Sequence, residues 1–122
     1  MNSLDKAMEL KRRTKSFAIR IVNLFRSLPH SPAAQTLGKQ LLRSGTSVAA
    51  NYQAVCRARS QAEFIARMGI VVEEADESVL WLELLGETGV VRQERTQDLL
   101  NEANELVKIF GASLRTSKHA VK

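Results

Sequence analysis

Carboxylates at helical spacing are the first chemistry the sequence offers. Glu74 and Glu77 stand three residues apart, as do Glu102 and Glu105. That spacing puts both members of a pair on one face of a helix. A di-metal bundle centre needs such pairs, but as Glu-x-x-His on facing helices. Neither His30 nor His119 falls on a helix core, so no metal is expected and the acidic residues read as solvated or paired. A nucleophilic site reads no better. The single thiol, Cys56, has no histidine in a promising place and is expected to be a buried, inert side chain. Ser44, Ser47 and Asn51 are small polar residues suited to close helix packing and hydrogen bonding. Phosphate-cradling G-x-x-x-x-G-K-S/T and G-x-G-x-x-G loops are absent. No catalytic residue, metal or cofactor is assigned, and the chain is not expected to be an enzyme.

The basic residues offer more. Of 18 Lys and Arg against 13 Asp and Glu, residues 1–59 carry an excess of +9 and residues 60–122 one of −4. A phosphate backbone needs only cations within reach, with no set spacing. Lys11, Arg12, Arg13, Lys15, Arg20, Lys39, Arg57 and Arg59 are therefore the candidate nucleic-acid contacts. A solvated basic face is the alternative, and so is a scaffold whose charge segregation serves only subunit pairing. Arg43 is the expected partner of Glu73 or Glu77, because a buried carboxylate requires one. Lys11, at the edge of its apolar stripe, is the other cation that could pair. Six aromatic residues, mostly on apolar stripes, argue against a base-stacking platform. Binding to RNA or DNA would be electrostatic and led by shape.

These side chains require helices to position them. The chain has 122 residues, 44% apolar, with 6 Gly and 2 Pro. It is long enough for one core but not two, and one Cys excludes a disulfide scaffold. Residues 1–122 read as a single all-α domain. Ser31 with Pro32, the capping-box pattern of Ser60 and Glu63, and a glycine break after Leu85 divide it. Helices are expected at about 4–28, 32–58, 61–85 and 92–116, with fraying from Ser117. Matched lengths and short connections predict an antiparallel up-down-up-down four-helix bundle. The expected stripes are Ala18, Ile21, Phe25 and Leu28 in the first helix, then Leu37, Leu41, Val48, Tyr52 and Val55. Phe64, Met68, Val71, Ala75, Ser78, Leu82 and Leu85 form a heptad seam in the third. Leu99, Ala103, Leu106, Phe110 and Leu114 share a face of the fourth.

The third helix has a second apolar face, with Ile70, Trp81 and Leu84 among its residues and Glu73 and Glu77 inside it. A peripheral helix of a monomer needs only one such face. Either another subunit covers the second, with Ile70, Trp81 and Leu84 as candidate contacts, or an adjacent helix of the same bundle does. The N-terminus has charges where a secretory signal needs an apolar run. No stretch approaches the length of a transmembrane helix, so no membrane partner is expected. A lone thiol fits a reducing cytoplasm.

The stretch Gln40-Leu41-Leu42-Arg43-Ser44-Gly45-Thr46-Ser47-Val48-Ala49-Ala50-Asn51-Tyr52 resembles the signature of the 23S rRNA intervening-sequence proteins. Arg57-Ala58-Arg59-Ser60, Glu73-Glu74-Ala75-Asp76-Glu77 and Trp81-Leu82-Glu83-Leu84-Leu85 fit the same pattern, as do Leu10-Lys11-Arg12-Arg13-Thr14 and Leu28-Pro29. The resemblance implies a cytosolic bacterial four-helix bundle that assembles as a pentamer. Some relatives are encoded inside 23S rRNA genes. A related set are retroelement accessory proteins, pentameric barrels with a basic nucleic-acid-binding surface. The resemblance implies no catalytic residue. It makes Arg43, Ser47, Asn51, Glu73 and Glu77 an architectural polar network. One departure stands out: relatives commonly place an acidic residue where this chain has Ala54.

Overall fold

The computed structural model describes residues 2–120. Four helices follow one another: α1 (Ser3–Arg26), α2 (Pro32–Cys56), α3 (Gln61–Glu87) and α4 (Gln93–Ala120). Three of the starts have a visible chemical cause. The side chains of Asn2, Ser31 and Ser60 accept hydrogen bonds from the N–H groups of Asp5, Ala34 and Glu63. Each cap satisfies an otherwise unpaired helix N–H and is worth about 1 kcal/mol. Pro32 occupies the first turn of α2, where its missing N–H costs nothing. The Glu63 carboxylate reaches back to the Arg59 N–H at 3.2 Å, one residue upstream of the donor that a standard capping box uses.

The ends differ modestly from the sequence pattern. Helix α1 stops at Arg26 and α2 at Cys56, each two residues short of expectation. Helix α3 continues past Leu85 to Glu87, with Gly86 inside it. The turn is made instead by Gly89, whose φ of 77° glycine adopts without a Cβ penalty. Helix α4 continues through Ala120 rather than ending at 116. Of the segment expected to fray, residues 121–122 lie outside the described residues.

Consecutive helices pack against each other, while α1 and α4 meet only along a thin seam and the α1 and α3 backbones make no close approach. The pairing is antiparallel. Gln61 reaches the Ser117 carbonyl at one end of the bundle, and Gly86 approaches Gln93 and Thr96 at the other. Across α1 and α2, a Cβ on Gly38 would meet Leu28, and one on Gly45 would meet Ile21 at 2.9 Å. These glycines are what lets the two helices approach.

The core follows the predicted seams of α2, α3 and α4, with Leu37, Phe64 and Leu114 only partly buried at the margins. Helix α1 is rotated from expectation. Phe17 and Leu24 join Ile21 and Leu28 in the core, whereas Ala18 and Phe25 are half-buried. The reason lies in Gly38. Phe25 fills the space beside it on the α2 flank, which turns Phe17 and Leu24 toward the bundle axis.

Candidate nucleic-acid interface

The outward face of α2 is built from small residues. Thr46, Ala49 and Ala50 form the floor of a concavity of about 470 Å³ that Gln53 extends, walled on the α1 side by Lys11 and Lys15. Ala50 and Gln53 also belong to a second concavity, of about 370 Å³, which ends at Arg57 and Arg59. The two share a floor and make one shallow groove along α2. From Thr46 to Arg57 the helix rises roughly 16 Å, the axial rise of about five phosphates on one strand of a duplex. Lys11, Lys15, Arg57 and Arg59 are all exposed. None of the four has a carboxylate within ion-pair distance among the described residues. Glu63 is the one acidic residue lining the groove, and it accepts the Arg59 backbone N–H. The Ala-rich floor admits a backbone closely and has no ring on which a base could stack.

The remaining four predicted contacts scatter. Lys39 is exposed and lies two turns before Thr46, on the same outward face of α2. Arg20 is nine residues from Lys11, half a turn around α1, and therefore faces away from the groove. Arg12 is exposed and paired with Glu9. Arg13 is a correction. It forms a two-pronged bond with Glu102 of α4, Nε to Oε2 at 3.1 Å and Nη2 to Oε1 at 2.7 Å. That bond, against some loss from burial, holds its guanidinium pKa above the ordinary value. Arg13 ties α1 to α4 and is not a free cation. Lys11 reverses the other way: it forms no ion pair among the described residues and belongs to the groove.

The polar network is rearranged as well. Arg43 bridges two carboxylates of α3, Glu74 at 2.9 Å and Glu77 at 2.6 Å. Glu77 is the predicted partner, and Glu74 replaces Glu73, which points to solvent. Glu74 sits one residue further round the helix, on the flank facing α2, and is buried there. Asn51 donates to the Ser47 carbonyl at 2.9 Å and does not reach Arg43. The network's buried element is a pair that sequence reasoning missed. Ser44 and Ser78, both fully buried, meet at 2.9 Å. Ser78 occupies a seam position, so only its polarity among apolar neighbours could have flagged it.

At the far end of α2, Tyr52 is buried with its ring 5.0 Å from that of Phe110. Burial first, then the neighbouring Cys56, pushes its hydroxyl pKa well up. Cys56 itself is exposed, contrary to the buried thiol expected, because α2 ends there on its outer side. On α3, Ile70 is exposed and Leu84 half-buried. Trp81 packs against the chain's own core, and its enclosed indole N–H finds no acceptor among the described residues. Among the described residues no helix is long and apolar enough to cross a membrane.

Comparison with known proteins agrees with this architecture. The family described as 23S rRNA-intervening sequence protein matches residues 6–112. A crystal structure of a protein of unknown function from the S23 ribosomal protein family of Bacteroides thetaiotaomicron is 36% identical. It superposes with a TM-score of 0.79 over 85% of this chain and 96% of that one. No curated protein matches the sequence.

Proposed function

Starting from a chain that belongs to the 23S rRNA-intervening sequence protein family, we propose that it is a non-enzymatic, homo-oligomeric nucleic-acid-binding bundle. The α1–α2 groove is its contact surface, and RNA or DNA its partner in the cytoplasm. The observation that carries this reading is the groove itself: four cations, Lys11, Lys15, Arg57 and Arg59, around a floor of small residues, with no ion pair among the described residues. Such a surface grips phosphates without reading bases. The resemblance that implies the basic surface also implies five subunits. Support for assembly comes from apolar side chains left exposed on α3, Ile70 and Leu80.

The test is a salt titration of binding to a ribosomal RNA fragment beside a DNA duplex. Four phosphates contacted per protomer give a slope of log K against log salt of about −3.6 on duplex DNA and about −2.8 on a single strand. Absence of binding at low salt overturns the reading and leaves a scaffold whose charges serve assembly.

A further inference from the structure

Among the described residues, the five most exposed large apolar side chains fall on α1 and α3. Leu4 (68%), Met8 (61%) and Ile19 (53%) lie on α1, and Leu80 (47%) and Ile70 (38%) on α3. Within each helix they recur at steps of three, four or their sums, so each set forms one crest. The crests carry opposite charge. Lys11 and Lys15 stand among the apolar residues of α1, with Arg12 beside them already paired to Glu9. The exposed Glu73 and Asp76 stand among those of α3, with Arg67 one turn before Ile70 as its one cation among the described residues. The α1 and α3 backbones make no close approach. The two helices occupy diagonal corners of the bundle, so their exposed crests lie on different sides of it.

We propose that the acidic α3 crest of one copy docks on the basic α1 crest of the next, making a head-to-tail contact between copies of this chain. The proposal rests on the homo-oligomer reading above and specifies its contact. Two other pairings are disfavoured by charge: α3 on α3 opposes Glu73 and Asp76 to their equivalents, and α1 on α1 opposes lysines and arginines. The α1–α3 pairing joins apolar to apolar and basic to acidic. Because its two surfaces differ, it propagates from copy to copy and closes into a ring or runs on as a filament. A two-fold dimer does not form this way. Lys11 and Lys15 lie on the α2 flank of α1, where they line the groove at the border of the contact.

The experiment uses two variants of the full chain, both substituted at exposed positions and checked for native helicity. One is Met8→Glu with Ile19→Glu, which spoils the α1 crest. The other is Ile70→Arg with Leu80→Arg, which spoils the α3 crest. Sedimentation velocity reads the assembly. The expected result is that each variant alone is monomeric where the unaltered chain assembles, and that a 1:1 mixture forms a complex of two chains and no larger, since each end of that pair is a spoiled crest. The mixture recovers because the first variant keeps an intact α3 and the second an intact α1. If either variant alone assembles like the parent, or the mixture stays monomeric, the head-to-tail contact is overturned while homo-oligomerisation stands. If the unaltered chain is itself monomeric, the oligomer reading fails and this contact fails with it.

Discussion

Ser44 on α2 and Ser78 on α3 share a hydrogen bond of 2.9 Å in a part of the core closed to solvent. Its direction follows from the neighbours. Ser78 donates to the Glu74 carbonyl at 2.9 Å, whereas the carbonyl open to Ser44, that of Leu41, is 3.4 Å away. The Ser44 hydroxyl therefore donates to Ser78 Oγ. Ser78→Ala leaves the buried Ser44 hydroxyl only the longer bond to the Leu41 carbonyl and is expected to cost about 1 kcal/mol. Ser44→Ala leaves Ser78 satisfied and costs less. The double variant should be no less stable than Ser78→Ala alone. Denaturant unfolding of the four proteins measures the coupling.

Gly45 and Gly69 are both helical and should respond oppositely to alanine. At Gly45 a Cβ would meet Ile21 Cγ1 at 2.9 Å and Cγ2 at 3.0 Å, while at Gly69 nothing lies within 4 Å. Gly45→Ala is expected to destabilise by about 1–3 kcal/mol through overpacking. Gly69→Ala is expected to stabilise by up to about 1 kcal/mol through helix propensity. Thermal melting distinguishes the two signs.

Removing Arg43 should cost more than removing Glu77. Glu74 is buried and Arg43 is its side-chain partner, so Arg43→Ala leaves a desolvated carboxylate uncompensated. Glu77 is more exposed, and its truncation loses a surface ion pair worth roughly 0–1 kcal/mol. Glu74→Gln in the Arg43→Ala background should recover part of the loss, as read by urea midpoints.

Arg57 and Arg13 should separate in a binding assay. Arg57→Ala removes a groove cation and is expected to flatten the duplex salt slope by about 0.9, with melting unchanged. Arg13→Ala leaves the slope as it was and lowers the melting temperature, because Glu102 loses the partner that joins α4 to α1.

Alkali should destabilise the fold through Tyr52. Burial raises its hydroxyl pKa above the ordinary value, so the folded state holds a proton that the unfolded state gives up. The associated stability is complete below pH about 10 and is lost as the pH rises beyond it toward the folded-state pKa. Between pH 9 and 11 the parent should lose more stability than Tyr52→Phe. Parallel melts across that range are the check.

Local chemistry made most of the fold legible in sequence. Ser31, Pro32 and Ser60 mark helix starts because a cap acts over three residues, and the α3 seam shows because every step is three or four. The rotation of α1 was hidden, since Ile21 is compatible with stripes through either Ala18 or Phe17. Only the room at Gly38, on another helix, decides between them. Four of the eight candidate cations converge on the groove. Arg13 could not be separated from Arg12 in advance, because its partner is 89 residues away. Glu74 and Glu73 are neighbours in sequence, and which one faces α2 depends on the packing of the bundle.

Packing α1 on α2, α2 on α3 and α3 on α4 also governs how the fold is reached. Each strong contact joins elements separated by a short turn, a topology of low contact order that forms in microseconds to milliseconds. Only the α1–α4 seam requires the two ends of the chain to find each other. A chain leaving the ribosome can pair α1 with α2 before α3 exists, and the closure sealed by Arg13 and Glu102 is left to the final step.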